Sequence, residues 1–381
     1  MESSPLHEAQ RALGAVFAEV SGWEIAAAFD SLDRECDAAR SRVALLDRSS
    51  LGRLTARGAD ALDLLDRLST NRVVDLPVGG GSSTVLATAR GRIVDWLTVL
   101  RPDDALLIVT SPERRTAVAE WIDLYTFDED ASLEDITSET AMLGVVGPHA
   151  AAVVERVMGI AVADLPQLGC LTASLGDHRV TVARTDPAGQ PGYDLVVPAA
   201  AATLLWDALL EAGAADGIAP IGEDAFEALR VATGTPRWGR ELTEERNPLE
   251  AGLEGAISWN KGCYTGQEVV SRLHTYHKVQ RYLVGLALEG NGAATPGTPL
   301  TADGKSVGIV SSVALGSETG RAIALGYLQT PFVEVGRSVE VGPAGAGGGV
   351  ATVVRTPELP TGPVPAALLD ALNDDDKDEA E

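Results

Sequence analysis

The stretch AISWNKGCYTGQEVVSRLHTYHKVQR, residues 256–281, stands apart from the Ala-, Leu- and Gly-rich sequence on either side of it. Its centre, KGCYTGQE (Lys261 to Glu268), sets a cation, a thiol, a phenol, an amide and a carboxylate around Gly262 and Gly266. Ala256 to Trp259 reads as a short strand and Asn260 to Gly262 as a turn. Thr265 stands three residues ahead of Glu268, just before apolar Val269 and Val270. That is the spacing of a capping box, in which hydroxyl and carboxylate each accept a hydrogen bond from the other's backbone N–H. A helix is therefore predicted from about Gly266 to about Tyr276, burying Val269, Val270 and Leu273. Glu268 and Arg272 would pair across one turn of its exposed side. Cys263 falls just before the helix start, where partial positive charge favours thiolate over thiol, and Lys261 adds to that field. A free cysteine is also a common space-filler in a core, so exposure decides between the two readings. His274 and His277 could share a helix face, but no neighbouring thiol or carboxylate completes a ligand set, and no metal is expected. Residues 261–281 hold four Lys or Arg and one Glu, which suits an anionic small molecule or partner, or simply a solvated face.

Beyond about Tyr276 the texture changes. YLVGLALEG, SVGIVSSVAL, AIALGYLQ, SVEV and VATVV are short β-rich runs divided by Gly and Pro turns, the pattern of a small antiparallel barrel or sandwich. From about Pro357 the chain turns Pro-rich and then acidic, a composition expected to stay disordered. Upstream, helix and strand signals alternate. SLDRECDAARSRVALLD and ADALDLLDRLST carry helical spacing, and LGRLTARG alternates like a strand. Three strands are predicted between Leu76 and Ser111, followed by a helix from about Glu113 to Leu124. Strand and helix signals recur after Ala141, and AAATLLWDALLEAG is a helix stopped by Gly213. Gly79-Gly80-Gly81 is followed by strands, so it reads as a turn and not as a phosphate loop.

With 381 residues, two or three domains are expected. The net charge of −25 repels DNA, RNA and anionic lipid. Seven acidic residues and one lysine of that balance lie in Asp370–Glu381. Cys36, Cys170 and Cys263 are odd in number and far apart, which implies neither a disulfide framework nor a conventional iron–sulfur ligand set. No signal peptide or membrane span is visible, and the sequence reads as that of a cytoplasmic protein.

FEALRVATGTPRWGRELTEERNPLEAGLEGAISWNKGCYTGQEVVSRL (residues 226–273) closely resembles the signature region of YgfZ-type folate-binding proteins. These are relatives of the glycine-cleavage aminomethyltransferase, or T-protein, and are linked to iron–sulfur protein assembly or repair. LGAVFAEVSGWE, LLDRSSLGRLTARGADALDLLDRLSTNRV and GRIVDWLTVL follow the superfamily's order, and VGIVSSVALGSETGRAIALGYL resembles its C-terminal barrel. The likeness runs from about Leu13 to Val354. It implies an α+β, three-lobed T-protein-like fold around a tetrahydrofolate pocket. Residues 1–274 would form two lobes interleaved in sequence, 275–357 an antiparallel β-barrel, and 358–381 an acidic tail. By the same resemblance, Asp194 in PGYDLVV would face the pterin and Arg230 in LRVATG would grip a folate carbonyl or carboxylate. Lys261, Gly262, Tyr264, Gly266, Gln267 and Glu268 carry the hallmark motif, with Cys263 as its functional thiol.

The departures from the transferases are informative. The resemblance places an Asp-Asp pair where this chain has Asp95-Trp96, so Asp95 keeps the first carboxylate and an indole takes the catalytic position. An indole offers neither the acceptor nor the negative charge of a carboxylate. Thr110 stands where an Asn is expected, and RTDPAGQPG replaces a glycine-rich run. The resemblance therefore implies a tetrahydrofolate-binding accessory protein with iron–sulfur enzymes or assembly factors as partners. A folate-dependent aminomethyl- or methyltransferase, or a scaffold without folate, are the alternatives.

Overall fold

A computed structural model describes residues 1–103, 105–289, 294–315, 322–343 and 349–355. The expected disorder of residues 358–381 falls outside them. Three bodies share the chain. The first is a five-stranded antiparallel sheet in the order Gly81–Ala87, Ile93–Leu100, Leu106–Thr110, Gly52–Arg57, Ser132–Asp135. The helices Ala61–Leu68 and Arg115–Leu124 cover one face, burying Leu54, Leu64, Leu65, Leu97 and Ile108 in one core. Leucines at 62, 65 and 68 in the sequence supply the apolar side of the first of these helices.

The second body is a six-stranded sheet running Cys170–Leu175, His178–Arg184, Gly192–Pro198, Thr140–Val146, Ala44–Asp47, Ala219–Pro220. Helices Ala150–Met158 and Ala202–Gly213 seal its outer face around Trp206. Its inner face packs on the first sheet through Met142, Cys170 and Val196 against Leu100, Leu107 and Val109. The strand Ala44–Asp47 precedes the whole first sheet in sequence yet belongs to the second, so the two bodies interleave. The third body is a closed six-stranded barrel spanning Arg281–Arg355. Four of its six strands match the β-rich runs closely; Arg281–Glu289 begins one residue early, and Pro299–Ala302 is an additional four-residue strand.

Several local expectations are corrected. Residues 256–259 are not a strand: a 3₁₀ turn at Glu254–Ala256 leads into chain whose Ser258 N–H bonds the Thr70 carbonyl. Nor does Thr265 cap the following helix. Gly266, at φ +86°, precedes Gln267–Thr275, and no side chain caps it. A Cβ there would sit 2.5 Å from the Thr88 carbonyl oxygen, so only glycine fits. Of the three residues expected inside, Val270 is fully buried, Leu273 is half-buried, and Val269 is exposed. Among the described residues no ion pair joins Glu268 to Arg272. Nor does any helix among them have the length and apolarity to cross a membrane.

Candidate functional site

The strand Ala44–Asp47 is followed by Arg48, whose side chain runs across the neighbouring strand Thr140–Val146. It can do so because Gly144 has no side chain: a Cβ there would meet Arg48 Cδ at 2.9 Å. Asp194 is the register partner of Gly144 on the next strand, and Arg48 Nε lies 2.9 Å from its Oδ1. Thr185 donates to the other oxygen at 2.6 Å. The Arg48–Asp194 contact is ionic and poorly aligned as a hydrogen bond, since neither buried atom has a hydrogen-bond partner. Asp194 is 2% exposed. Burial raises its pKa above the ordinary aspartate value, against the pull of Arg48 and Thr185. The Arg48 guanidinium also stands 5.4 Å from the Phe226 ring centre, tying this pair to the helix Glu223–Thr233.

Arg230, one turn along that helix, is in a different situation. Its five N–H donors are all committed: Nε and one Nη to Glu227, the others to Glu241, the Thr235 carbonyl and Ser312 Oγ. Glu241, 0% exposed, in turn accepts from Ser311 and Ser312 of the barrel at 2.7 Å. Arg230 thus joins a helix, a loop and the barrel, and its fork has no donor left over for a ligand.

Asp95 and Trp96 are adjacent on the strand Ile93–Leu100 and take opposite roles. Asp95 is fully buried and accepts from Ser111 N–H at 2.9 Å and Ser111 Oγ at 2.7 Å, anchoring the start of the turn and helix that follow. Trp96 donates to Ser83 Oγ at 2.6 Å and packs beside Trp238, Leu242 and Ala251. Burial outweighs the Ser111 hydrogen bonds and pushes the Asp95 carboxyl up to about 6. Its folded-state pKa lies above the ordinary 3.8, so the protonated form is the one the fold prefers. Stability from this group is full below about pH 4 and is lost as pH rises through about 6. Lowering pH from about 7.5 to about 5 should strengthen the fold by about 1.4 kcal/mol through Asp95 alone. Asp95→Asn should lose that increment while other carboxylates titrate as before, which paired denaturation curves at the two pH values would check.

The KGCYTGQE segment packs on the first body. Lys261, its side chain 1% exposed, donates to the carbonyls of Asp66, Ser69 and Asn71 at the end of helix Ala61–Leu68 and faces the Asp66 carboxylate at 3.3 Å. Its pKa is lowered, chiefly by burial. The Lys261 ammonium therefore serves that helix terminus and is not aimed at the thiol. Tyr264 is buried with its hydroxyl unpartnered, and burial pushes it up to about 12. Thr265 N–H bonds the Arg67 carbonyl. Cys36 and Cys170 are buried, whereas Cys263 is exposed, as are Gly262 and Glu268; Gln267 is half-buried. His274 pairs with Glu254 at 3.2 Å and stacks on Trp259. Among the described residues no group of three or more His, Cys, Asp or Glu is placed to hold a metal.

Asp194 and Arg230 are therefore linked through one helix, while Cys263 lies on the first body against the end of helix Ala61–Leu68. Three surface cavities, of about 480, 330 and 700 Å³, are lined by other residues. The sequence reading passed over Arg48, Thr185 and Glu241. The helical spacing read through VALLD hid the signal: the helix stops at Ser41 and Ala44–Asp47 is a strand, and a strand end next to a core places a cation where it must find an anion.

Two family profiles account for most of the chain. The GCVT N-terminal domain matches residues 6–261, and the glycine cleavage T-protein C-terminal barrel domain matches residues 281–358. The chain belongs to the glycine-cleavage T-protein family. Members of the T-protein family are tetrahydrofolate-dependent. The aminomethyltransferase of Rubrobacter xylanophilus is 34% identical over 333 residues, 86% of this chain and 87% of that one. A putative chloroplastic transferase of Arabidopsis thaliana is 31% identical over 85% of this chain and 74% of its own. The crystal structure of the Bartonella henselae glycine cleavage system aminomethyltransferase T shares the fold, with a TM-score of 0.84 and 22% identity over 93% of this chain and 96% of that one.

Proposed function

We propose that this T-protein family member binds tetrahydrofolate through Asp194 and supports iron–sulfur protein assembly or repair, with Cys263 as its working thiol. The Asp194–Arg48 pair carries the folate reading. A buried carboxylate oxygen that accepts no hydrogen bond, Asp194 Oδ1, is an acceptor that a pterin's amino and ring N–H groups would satisfy. Tetrahydrofolate supplies a carrier for one-carbon units. The chain's part is to accept the pterin's donors at Asp194, to fix the bordering helix through Arg230, and to present a thiol at Cys263. Arg48 would have to move aside for the pterin. Trp96, where the family resemblance expects the transferring acid, supports a role other than aminomethyl transfer. The exposed Cys263 supports thiol chemistry.

Relatives named aminomethyltransferase at 28–34% identity favour a second reading, folate-dependent aminomethyl transfer. Titration of the purified protein with tetrahydrofolate should give saturable micromolar binding, and Asp194→Asn should weaken it at least ~10-fold, about 1.4 kcal/mol. No saturation would end the folate reading. Methylenetetrahydrofolate formed from an aminomethyl-lipoyl donor by the unaltered protein would install the transferase reading instead. Cys263→Ser should leave folate affinity intact yet fail to restore iron–sulfur enzyme activity in cells lacking the native copy. Full restoration would make the thiol dispensable.

A further inference from the structure

The 3₁₀ turn Glu254–Ala256, the helix Gln267–Thr275 and the first barrel strand, Arg281–Glu289, meet around a cavity of about 480 Å³. The turn packs on the first body, where Leu253 and Ala256 meet Val85 and Ile93. The cavity thus has the size of a small-molecule site and lies where two bodies join, a usual place for one. None of Asp194, Arg230 and Cys263 lines it.

Ile257, Leu273 and Val279 make one side aliphatic, and Trp259, His274 and Tyr282 add rings. Trp259 is 43% exposed although His274 stacks on it at 4.0 Å, so one indole face stays open. The lining holds one carboxylate, Glu254, and no lysine or arginine. Of the basic side chains close by in sequence, Arg281 is taken up by Glu250 at 3.7 Å, and neither Arg272 nor Lys278 lines the space. Among the described residues Glu254 pairs with the His274 imidazole, which is charged only when protonated. Burial, with the Glu254 charge adding to it, raises the Tyr282 pKa, as befits a phenol and a carboxylate bordering one space. Just beyond the helix, His277 takes φ +49°. Glycine is usual at that place, yet here a side chain is kept and lines the cavity.

We propose that this cavity binds an organic ammonium ion, a quaternary or alkylated amine. Its charge lies between Glu254 and the Trp259 ring, and its carbon substituents lie on the aliphatic side. An indole face is the best π surface for a cation, and a chain of net charge −25 draws cations from solution. A single carboxylate is too few ligands for a metal ion. The aliphatic side favours carbon around the charge in place of water.

The test is calorimetric titration of the full-length chain with benzyltrimethylammonium at about pH 8, where an ordinary imidazole is neutral. Saturable binding at one site is expected. Phenylacetate, which carries a carboxylate on the same ring, should bind at least ~10-fold more weakly, about 1.4 kcal/mol. Trp259→Leu and Glu254→Gln, both at partly exposed positions, should each weaken the ammonium at least ~5-fold, about 1 kcal/mol, without moving the thermal midpoint. Trp259→Phe, which keeps a π face, should lose less than Trp259→Leu. No saturation by about 10 mM ligand would overturn the proposal. Equal or tighter binding of phenylacetate would overturn it by making the two histidines an anion site. Affinity indifferent to both substitutions would overturn it by putting the ammonium elsewhere.

Discussion

Arg230→Met should destabilise the protein by ~3–5 kcal/mol, because it leaves the fully buried Glu241 without its cation and Glu227 with Arg237 alone. Burial on its own would raise the Glu227 pKa; with Arg230 and Arg237 alongside, it ends below the usual glutamate value. That is the mark of a carboxylate depending on its arginines. The loss should appear as an earlier thermal midpoint and as loosening of the barrel, since Ser311 and Ser312 share Glu241 with Arg230. Adding Glu241→Gln should recover part of the loss by removing the stranded charge, a coupling that a double-mutant cycle would measure. If Arg230 instead earns its place by gripping folate, the single variant will melt normally and lose only tetrahydrofolate affinity. The two outcomes separate a positioning residue from a binding one.

Lys261→Met should cost about 3 kcal/mol or more. It removes a buried ammonium that three carbonyls and the Asp66 carboxylate share. The Asp66 carbonyl lies in the helix's last turn and that of Ser69 at its C-cap, where a cation is favoured, and the Asn71 carbonyl lies just beyond. Lys261→Arg should fail to rescue, since a planar fork cannot point three donors at three converging oxygens as a compact ammonium does. Because Lys261 stands two residues before Cys263, its loss should also release the thiol's loop. Labelling of Cys263 by a thiol reagent should quicken several-fold at temperatures where the bulk fold is intact. An unchanged melting curve and labelling rate would mean that the lysine is ornamental.

The barrel could be read ahead because each long strand is a self-contained apolar run bounded by Gly or Pro. The added strand Pro299–Ala302 could not, being four residues opening on a proline. The helix in the signature was legible, and so was its start near Gly266; how that start is capped was not. The pattern of Thr265 and Glu268 offered a cap, but the close approach of Thr88, some 180 residues earlier, forces a glycine conformation there instead. Lys261 read as a charge near a thiol for a similar reason. Its true partners, Asp66, Ser69 and Asn71, lie about 190 residues away, and spacing rules see only a few residues in either direction. Arg230 was singled out by resemblance alone, while the five acceptors that occupy it come from a helix, a loop and the barrel.

The strand Ala44–Asp47 finds its neighbour only at Thr140–Val146 and its other edge at Ala219–Pro220. During synthesis it must therefore wait, unpaired, while some 90 residues that build a different sheet emerge after it. A nascent chain halted before Thr140 would carry one finished body and an apolar ribbon with nothing to pair with. That ribbon, Ala44-Leu45-Leu46, is where a holding chaperone would find its grip.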